Sequence, residues 1–163
     1  MAMNKLLEIL SRNADFTTEQ LAAMLGQTED EVKAQIQEYK KQGIIRGTNA
    51  LINWDKVPDA GVTAIIELKV TPQPETGFDD TAKIVMSFDN VESVYLAASS
   101  RYDLIATVKG STIQEIAEFV SKRLSTLDNV IGTATSFVLT HYKAGGVSFY
   151  DSEEEEEQRS LIL

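Results

Sequence analysis

The stretch that most constrains this chain is residues 17–46, TTEQLAAMLGQTEDEVKAQIQEYKKQGIIR, where two helix starts and a tight turn stand at fixed spacing. Thr17 and Gln20 have the capping-box spacing, in which a hydroxyl and a side chain three residues on satisfy free backbone N–H groups. Thr28 and Glu31 repeat it. Leu21, Ala22 and Leu25 form a short apolar face, Gly26 supplies the turn, and Val32, Ile36 and Tyr39 give the second helix its inner face. Gly43 tolerates left-handed backbone and so ends that helix. Asn4–Arg12 reads as a preceding helix, with Leu6, Leu7 and Leu10 at core-like spacing. The three together predict a helix-turn-helix, a unit able to present its last helix to a DNA major groove.

Charge qualifies that expectation. The last helix opens on Glu29, Asp30 and Glu31, and acidic groups there oppose the phosphate line of a duplex. The 163 residues carry a formal charge of −10, unevenly spread. Residues 1–52 hold 6 basic and 7 acidic groups, residues 53–150 hold 8 and 12, and residues 151–163 hold 1 and 6. Half the excess therefore lies in a short terminal run, and the helical part is nearly neutral. Bulk charge argues neither for nor against nucleic acid.

Cys is absent and His occurs once, which excludes disulfides and thiolate or multi-histidine metal sites. No apolar run approaches the roughly 18 residues of a membrane span. The start, MAMNKLLEIL, has no small-residue cleavage site, so a signal peptide is not expected. A cytoplasmic protein fits best. No nucleophile–base pair or phosphate-cradling glycine loop is present, and catalysis is not expected. Asp79-Asp80 starts a helix, where negative charge suits the dipole.

Ile44–Arg46 and Ala50–Ile52 flank Gly47-Thr48-Asn49 and read as a small wing-like ribbon. Asn53–Ala60 reads as a linker, in which the Trp54 indole would pin the two domains together. Beyond it the hydrophobic period becomes two. Gly61–Pro72 reads as a strand with Val62, Ala64, Ile66, Leu68 and Val70 on one face. A helix at about Phe78–Phe88, strands at Val91–Ser99 and Leu104–Lys109, a helix opened by a Ser111/Gln114 capping box, and a strand over Val130–Lys143 follow. The order β-α-β-β-α-β predicts a ferredoxin-like sandwich. The fold class is thus α+β: an N-terminal three-helix (winged) helix-turn-helix joined to a ferredoxin-like βαββαβ sandwich. The expected division is 1–52, a linker at 53–60, the sandwich at 61–146, and an acidic tail at 147–163.

The sheet face away from its helices is expected to carry Ile65, Tyr95, Ala97, Ile105, Phe137 and Leu139, too apolar for a face left in water. A second copy packed sheet to sheet would cover it. A register error of one residue would invert every one of these positions.

LLEIL, QLAAMLGQTEDEV, KKQGIIRG, the LINWDKV linker, SSRYDLIATVKG and NVIGTATSFVLTHYK, in this order and spacing, resemble the Lrp/AsnC (feast/famine) transcription regulators from about Asn4 to Lys143. The resemblance implies a DNA-binding regulator, dimeric or assembled from dimers into tetramers or octamers, whose C-terminal domain senses a small molecule, commonly an amino acid. The positions matching the family's effector pocket are Ser99, Ser100, Arg101, Tyr102 and Asp103, with Thr133, Thr135 and Ser136. Two departures stand out. The family's loop commonly carries Gly before its Tyr-Asp pair, where this chain has Ser100-Arg101, and its recognition helix usually carries basic residues where this one has Ala34 and Gln35.

The candidate DNA-facing residues are Thr28, Lys33, Gln35, Gln37, Lys40, Lys41 and Arg46. Gln35 and Gln37 are either base-edge readers, since an amide pairs bidentately with adenine, or part of a solvated helix face. Lys40, Lys41 and Arg46 either hold phosphates or favour the helix C-terminus through its dipole. Arg101 and Asp103 either pair with an amino-acid ligand's carboxylate and ammonium or form a solvent-facing turn. His141 reads as structural or surface. Glu153–Glu157 and the closing Leu-Ile-Leu are either a solubilising tail or a segment that competes with DNA or docks on another subunit. Two functions remain open: an amino-acid-responsive DNA-binding regulator, and a metabolite-sensing oligomer with little direct DNA affinity that acts through a partner regulator.

Overall fold

The computed structural model describes residues 4–98 and 101–150. These form two compact units, one of residues up to Ile52 together with those from Tyr142 onward, the other Asn53–His141.

In the first unit, α1 spans Lys5–Arg12, α2 Thr18–Leu25 and α3 Glu29–Lys41. Asn4 caps α1 by accepting the Leu6 N–H, and its amide also donates to the Tyr39 hydroxyl of α3. Both capping boxes form in full. Thr17 accepts the Gln20 N–H while Gln20 accepts the Thr17 N–H at 2.9 Å, and Thr28 and Glu31 do the same, the return bond at 2.8 Å. Gly26 and Gly43 take left-handed φ of 67° and 70°, so each helix ends where a residue without Cβ permits it. Leu6, Leu21, Ala22 and Val32 make the buried core, ringed by Ile9, Leu10, Phe16, Leu25, Ile36 and Tyr39. Leu6, Leu21 and Val32 each contribute about 1.5–3 kcal/mol through burial.

The ribbon expected at Ile44–Arg46 and Ala50–Ile52 does not form: residues 45–53 carry no strand. Two three-residue arms give too few ladder bonds for a two-stranded ribbon to hold alone. The hairpin of this unit is instead β5 (Lys143–Ala144) with β6 (Val147–Ser148), from the far end of the chain. The Leu51 side chain packs on its Gly145, where an added Cβ would lie 2.8 Å from Leu51 Cδ1. That contact draws residues expected in the sandwich into the first unit. Of the acidic tail, residues 151–163 lie outside the described residues.

In the second unit a short turn, Trp54–Lys56, precedes β1 (Val62–Val70). Then come α4 (Asp79–Met86), β2 (Val91–Leu96), β3 (Leu104–Gly110), α5 (Ile113–Phe119, continued by a π-type turn to Leu124) and β4 (Val130–Phe137). The sheet order is β2-β3-β1-β4, every pair antiparallel, which is the ferredoxin-like arrangement. Ala64, Ile66, Leu68 and Val70 of β1 point to the helices, as the period of two requires, and meet Leu104, Ala106 and Val108 of β3. Val85, Ile116 and Leu124 close this core from above.

Two details differ from the expected pattern. The cap of α5 is Thr112, not Ser111: Thr112 accepts the Glu115 N–H, and Glu115 reaches back to the Ser111 N–H at 2.7 Å. The carboxylate, a stronger acceptor than the Gln114 amide, takes the N–H one residue before the cap, so the box is not reciprocal as it is at Thr17 and Thr28. Phe137 also changes side, since it pairs with Ala64 and packs on the core rather than on the open face. The open face carries two rows across the sheet. One is Tyr95-Ile105-Glu67-Ala134 and the other Ser93-Thr107-Ile65-Ser136. Tyr95 is 62% exposed and Ile65 41%.

Candidate functional site

The exposed surface of α3 follows from its period. With Val32, Ile36 and Tyr39 turned inward, the outermost line of the helix is Asp30-Ala34-Gln37-Lys41. Lys33 and Lys40 flank that line on one side, Glu31 and Glu38 on the other, so the helix has one basic and one acidic border. The acidic start is largely engaged. Glu31 is held in the Thr28 box, and Glu29 lies 3.1 Å from Lys33 and accepts from the Thr18 hydroxyl at 3.2 Å. Thr28 N–H and hydroxyl hold the Glu31 carboxyl below its usual range, and Lys33 with Thr18 does the same for Glu29. Asp30 alone of the three stands on the outermost line.

The seven candidates on this unit divide accordingly. Lys33, Gln37, Lys40 and Arg46 line one groove of the first unit. Lys41 is exposed at the end of the outermost line. Gln35 turns partly inward and donates to Gln27 at 3.1 Å, and the Thr28 hydroxyl is occupied by the capping box. The groove also takes in Arg12 from α1, which sequence reasoning missed because helical period alone does not say which two helices border a cleft.

In the second unit Asp103 is committed to the fold. Its Oδ2 accepts the Val70 N–H at 2.9 Å, its Oδ1 accepts the Lys69 ammonium at 3.1 Å, and its N–H donates to Leu68 O at 2.9 Å. The Val70 N–H, then Lys69, hold its carboxyl below the usual range despite partial burial. The Arg101 guanidinium stands 6.0 Å from the Tyr102 ring centre, and Arg101 is exposed. Thr133 and Thr135 pair with Leu68 and Ile66 and so share the helix-facing side. Ser136 pairs with Ile65 on the open face. The three β4 candidates are thus split between the two faces, while Ser99 and Ser100 lie outside the described residues.

A second cavity of about 610 Å³ belongs to this unit and includes Trp54, Asp55, Lys109 and His141, none of them among the candidates. His141 N–H donates to Asp55 at 2.9 Å with its ring Nδ1 3.3 Å away, and the Lys109 ammonium stands 4.3 Å from the Trp54 ring centre. Trp54 therefore stacks within the second unit. Among the described residues no cluster of three or more His, Asp or Glu could hold a metal, and no helix is long and apolar enough to cross a membrane.

A helix-turn-helix unit and a ferredoxin-like sandwich in one chain define a two-part class. Comparison with known proteins places the chain more narrowly. Residues 63–147 match the Lrp/AsnC ligand binding domain. The uncharacterized HTH-type transcriptional regulator YugG of Bacillus subtilis is 43% identical over 146 residues, covering 89% of this chain and 87% of that protein. The HTH-type transcriptional regulator LrpA of Pyrococcus abyssi is 25% identical over 138 residues, 85% of this chain and 94% of that one. Among solved structures, the transcriptional regulator NMB0573/L-Met complex of Neisseria meningitidis superposes with a TM-score of 0.68 at 20% identity, over 88% of this chain and 94% of that one. The chain belongs to the Lrp/AsnC family, whose relatives here are HTH-type transcriptional regulators.

Proposed function

We propose that the protein is a cytoplasmic regulator that binds operator DNA directly through α3 and responds to an amino acid. The observation that carries the DNA reading is α3, opened by the Thr28/Glu31 capping box, with Gln37 and Lys41 on its outermost line, Lys33 and Lys40 along its basic border and Arg46 in the same groove. Gln37 suits a base edge and the cations suit phosphates. The effector reading is supported by a transcriptional regulator of like fold solved with L-Met and by an exposed Arg101 beside Tyr102. A guanidinium pairs readily with an amino-acid carboxylate. Asp103 acts in this scheme by positioning the loop from below, and Ser99, Ser100, Thr133, Thr135 and Ser136 remain candidate contacts.

The working unit is a homodimer, joined through the open sheet face with Ile65, Ile105 and Tyr95 at its centre, and able to assemble further. A two-fold pair of α3 helices then matches a partly palindromic site. Asp30 on the outermost line favours a second reading, in which the oligomer senses a metabolite and acts through a partner regulator.

Fluorescence anisotropy on the duplex upstream of the protein's own coding sequence, with an unrelated duplex as competitor, separates the two. Selective binding with a shallow salt slope supports direct regulation. Equal weak binding to both duplexes across an amino-acid panel sinks it.

A further inference from the structure

The groove of the first unit has a composition that DNA alone does not explain. It encloses about 900 Å³ and is bordered by Arg12, Lys33, Lys40 and Arg46, with no Asp or Glu among its described lining residues. Its floor is apolar, formed by Leu7, Leu10, Ile36, Ile44 and Leu51. Ile44 is 52% exposed and Leu51 50%, so this floor is partly wetted as it stands. A phosphate backbone would satisfy the cations and leave the floor uncovered. An occupant that answers both is a peptide that is acidic first and apolar after.

This chain supplies one. Residues 151–163, DSEEEEEQRSLIL, carry six carboxylates against one Arg and close on Leu161, Ile162 and Leu163. Their starting point is already at the groove: Gly145 lines it beneath Leu51, and the hairpin after it ends with the Tyr150 N–H on the Ser148 hydroxyl at 3.2 Å. From Tyr150 to Leu163 is thirteen residues, about 43–47 Å when extended at about 3.3–3.6 Å each, enough to reach across a groove of this volume. A tether of that length also holds the segment at roughly millimolar effective concentration. The existing partners of the cations do not block it. Arg12 pairs with Glu8 and Lys33 with Glu29, both as exposed i,i+4 contacts made from outside the groove.

We propose that residues 151–163 dock into the Arg12–Lys33–Lys40–Arg46 groove of their own chain and compete there with DNA. The carboxylates pair with the four cations and the closing Leu-Ile-Leu covers the apolar floor. The segment then acts as an intramolecular brake on α3, released by a duplex that binds more tightly than the tail. The competition rests on the DNA-binding reading above, whereas the docking does not.

The chain has no Cys, so Ser160→Cys gives a single attachment point for a maleimide photo-crosslinker on the full-length protein. Irradiation followed by mass spectrometry should give adducts within residues 33–51, lost in Lys40→Glu/Arg46→Glu. Adducts confined to residues 53–141, no adducts, or adducts joining heavy to light chains in an isotope-mixed sample would overturn docking in the same chain. A full-length variant with Glu153–Glu157 changed to Gln should bind DNA about tenfold more tightly at low salt, the gain shrinking as salt screens the pairs. Equal affinity of the two forms would overturn the competition. Groove adducts with no DNA binding by either form would refute the DNA reading while supporting the docking.

Discussion

Asp103 and Val70 are joined by a 2.9 Å bond from a backbone N–H to a carboxylate, made at the point where β1 slips register between Lys69 and Val70. The β1–β3 ladder ends at Leu68–Leu104, which leaves the Val70 N–H on that side without a ladder partner, and Val70 is buried. The loop before β3 supplies the acceptor. A residue expected to meet a ligand therefore first repairs the sheet.

Asp103→Ala should destabilise the second unit by about 1–3 kcal/mol, because the buried Val70 N–H is left unsatisfied. Asp103→Asn should cost less, since an amide oxygen still accepts that bond and only the Lys69 pair is lost. Urea unfolding followed by Trp54 emission, the one tryptophan of the chain, reads the second unit directly. An equal loss in both variants would contradict the assignment of the Val70 bond as dominant.

The pH dependence has a definite sign. The Asp103 carboxyl is held low chiefly by the Val70 N–H and the Asp55 carboxyl chiefly by the His141 N–H. A carboxyl depressed in the folded state adds stability above its unfolded value of about 3.9, and that stability is lost as pH falls through the lower folded value. Midpoints of unfolding should thus be flat from about pH 5 upward and fall below about pH 4. In Asp103→Asn the acid limb should be shallower; an unchanged limb would remove Asp103 as a cause.

Gly110 lies against α5, where an added Cβ would stand 2.7 Å from Ile116 Cγ1. Gly110→Ala should cost about 1–3 kcal/mol through overpacking. Removing the clashing atom in Gly110→Ala/Ile116→Ala should make the double variant cost less than the sum of the two single ones, measured as a double-mutant cycle. Strictly additive costs would show that the clash is relieved elsewhere.

Lys33→Gln and Lys40→Gln test the basic border of α3. Each should weaken DNA binding about equally for specific and unrelated duplexes and lower the salt slope by about one, the signature of a lost phosphate contact. Gln37→Ala should instead weaken only the specific duplex. If Lys33→Gln altered sequence preference, that residue would be reading bases.

Much of this was legible along the chain because it depends on near neighbours. Two capping boxes, two turn glycines and the alternation through β1 are set by residues within four positions of each other, and all appear in the structure. The Thr112/Glu115 cap shows the limit of spacing alone: two overlapping cap spacings compete, and acceptor strength chooses between them.

The helices, the four sandwich strands, their order and the family were readable along the chain, because backbone capping and hydrophobic period are local properties. Tertiary structure alone decided which groups meet across long separations. It brought Arg12 and Lys40 to one groove, tied Asp103 to Val70, turned Phe137 onto the core, and set the β5–β6 hairpin against Leu51. Such pairings depend on register and packing between segments far apart in the chain, which no local pattern encodes.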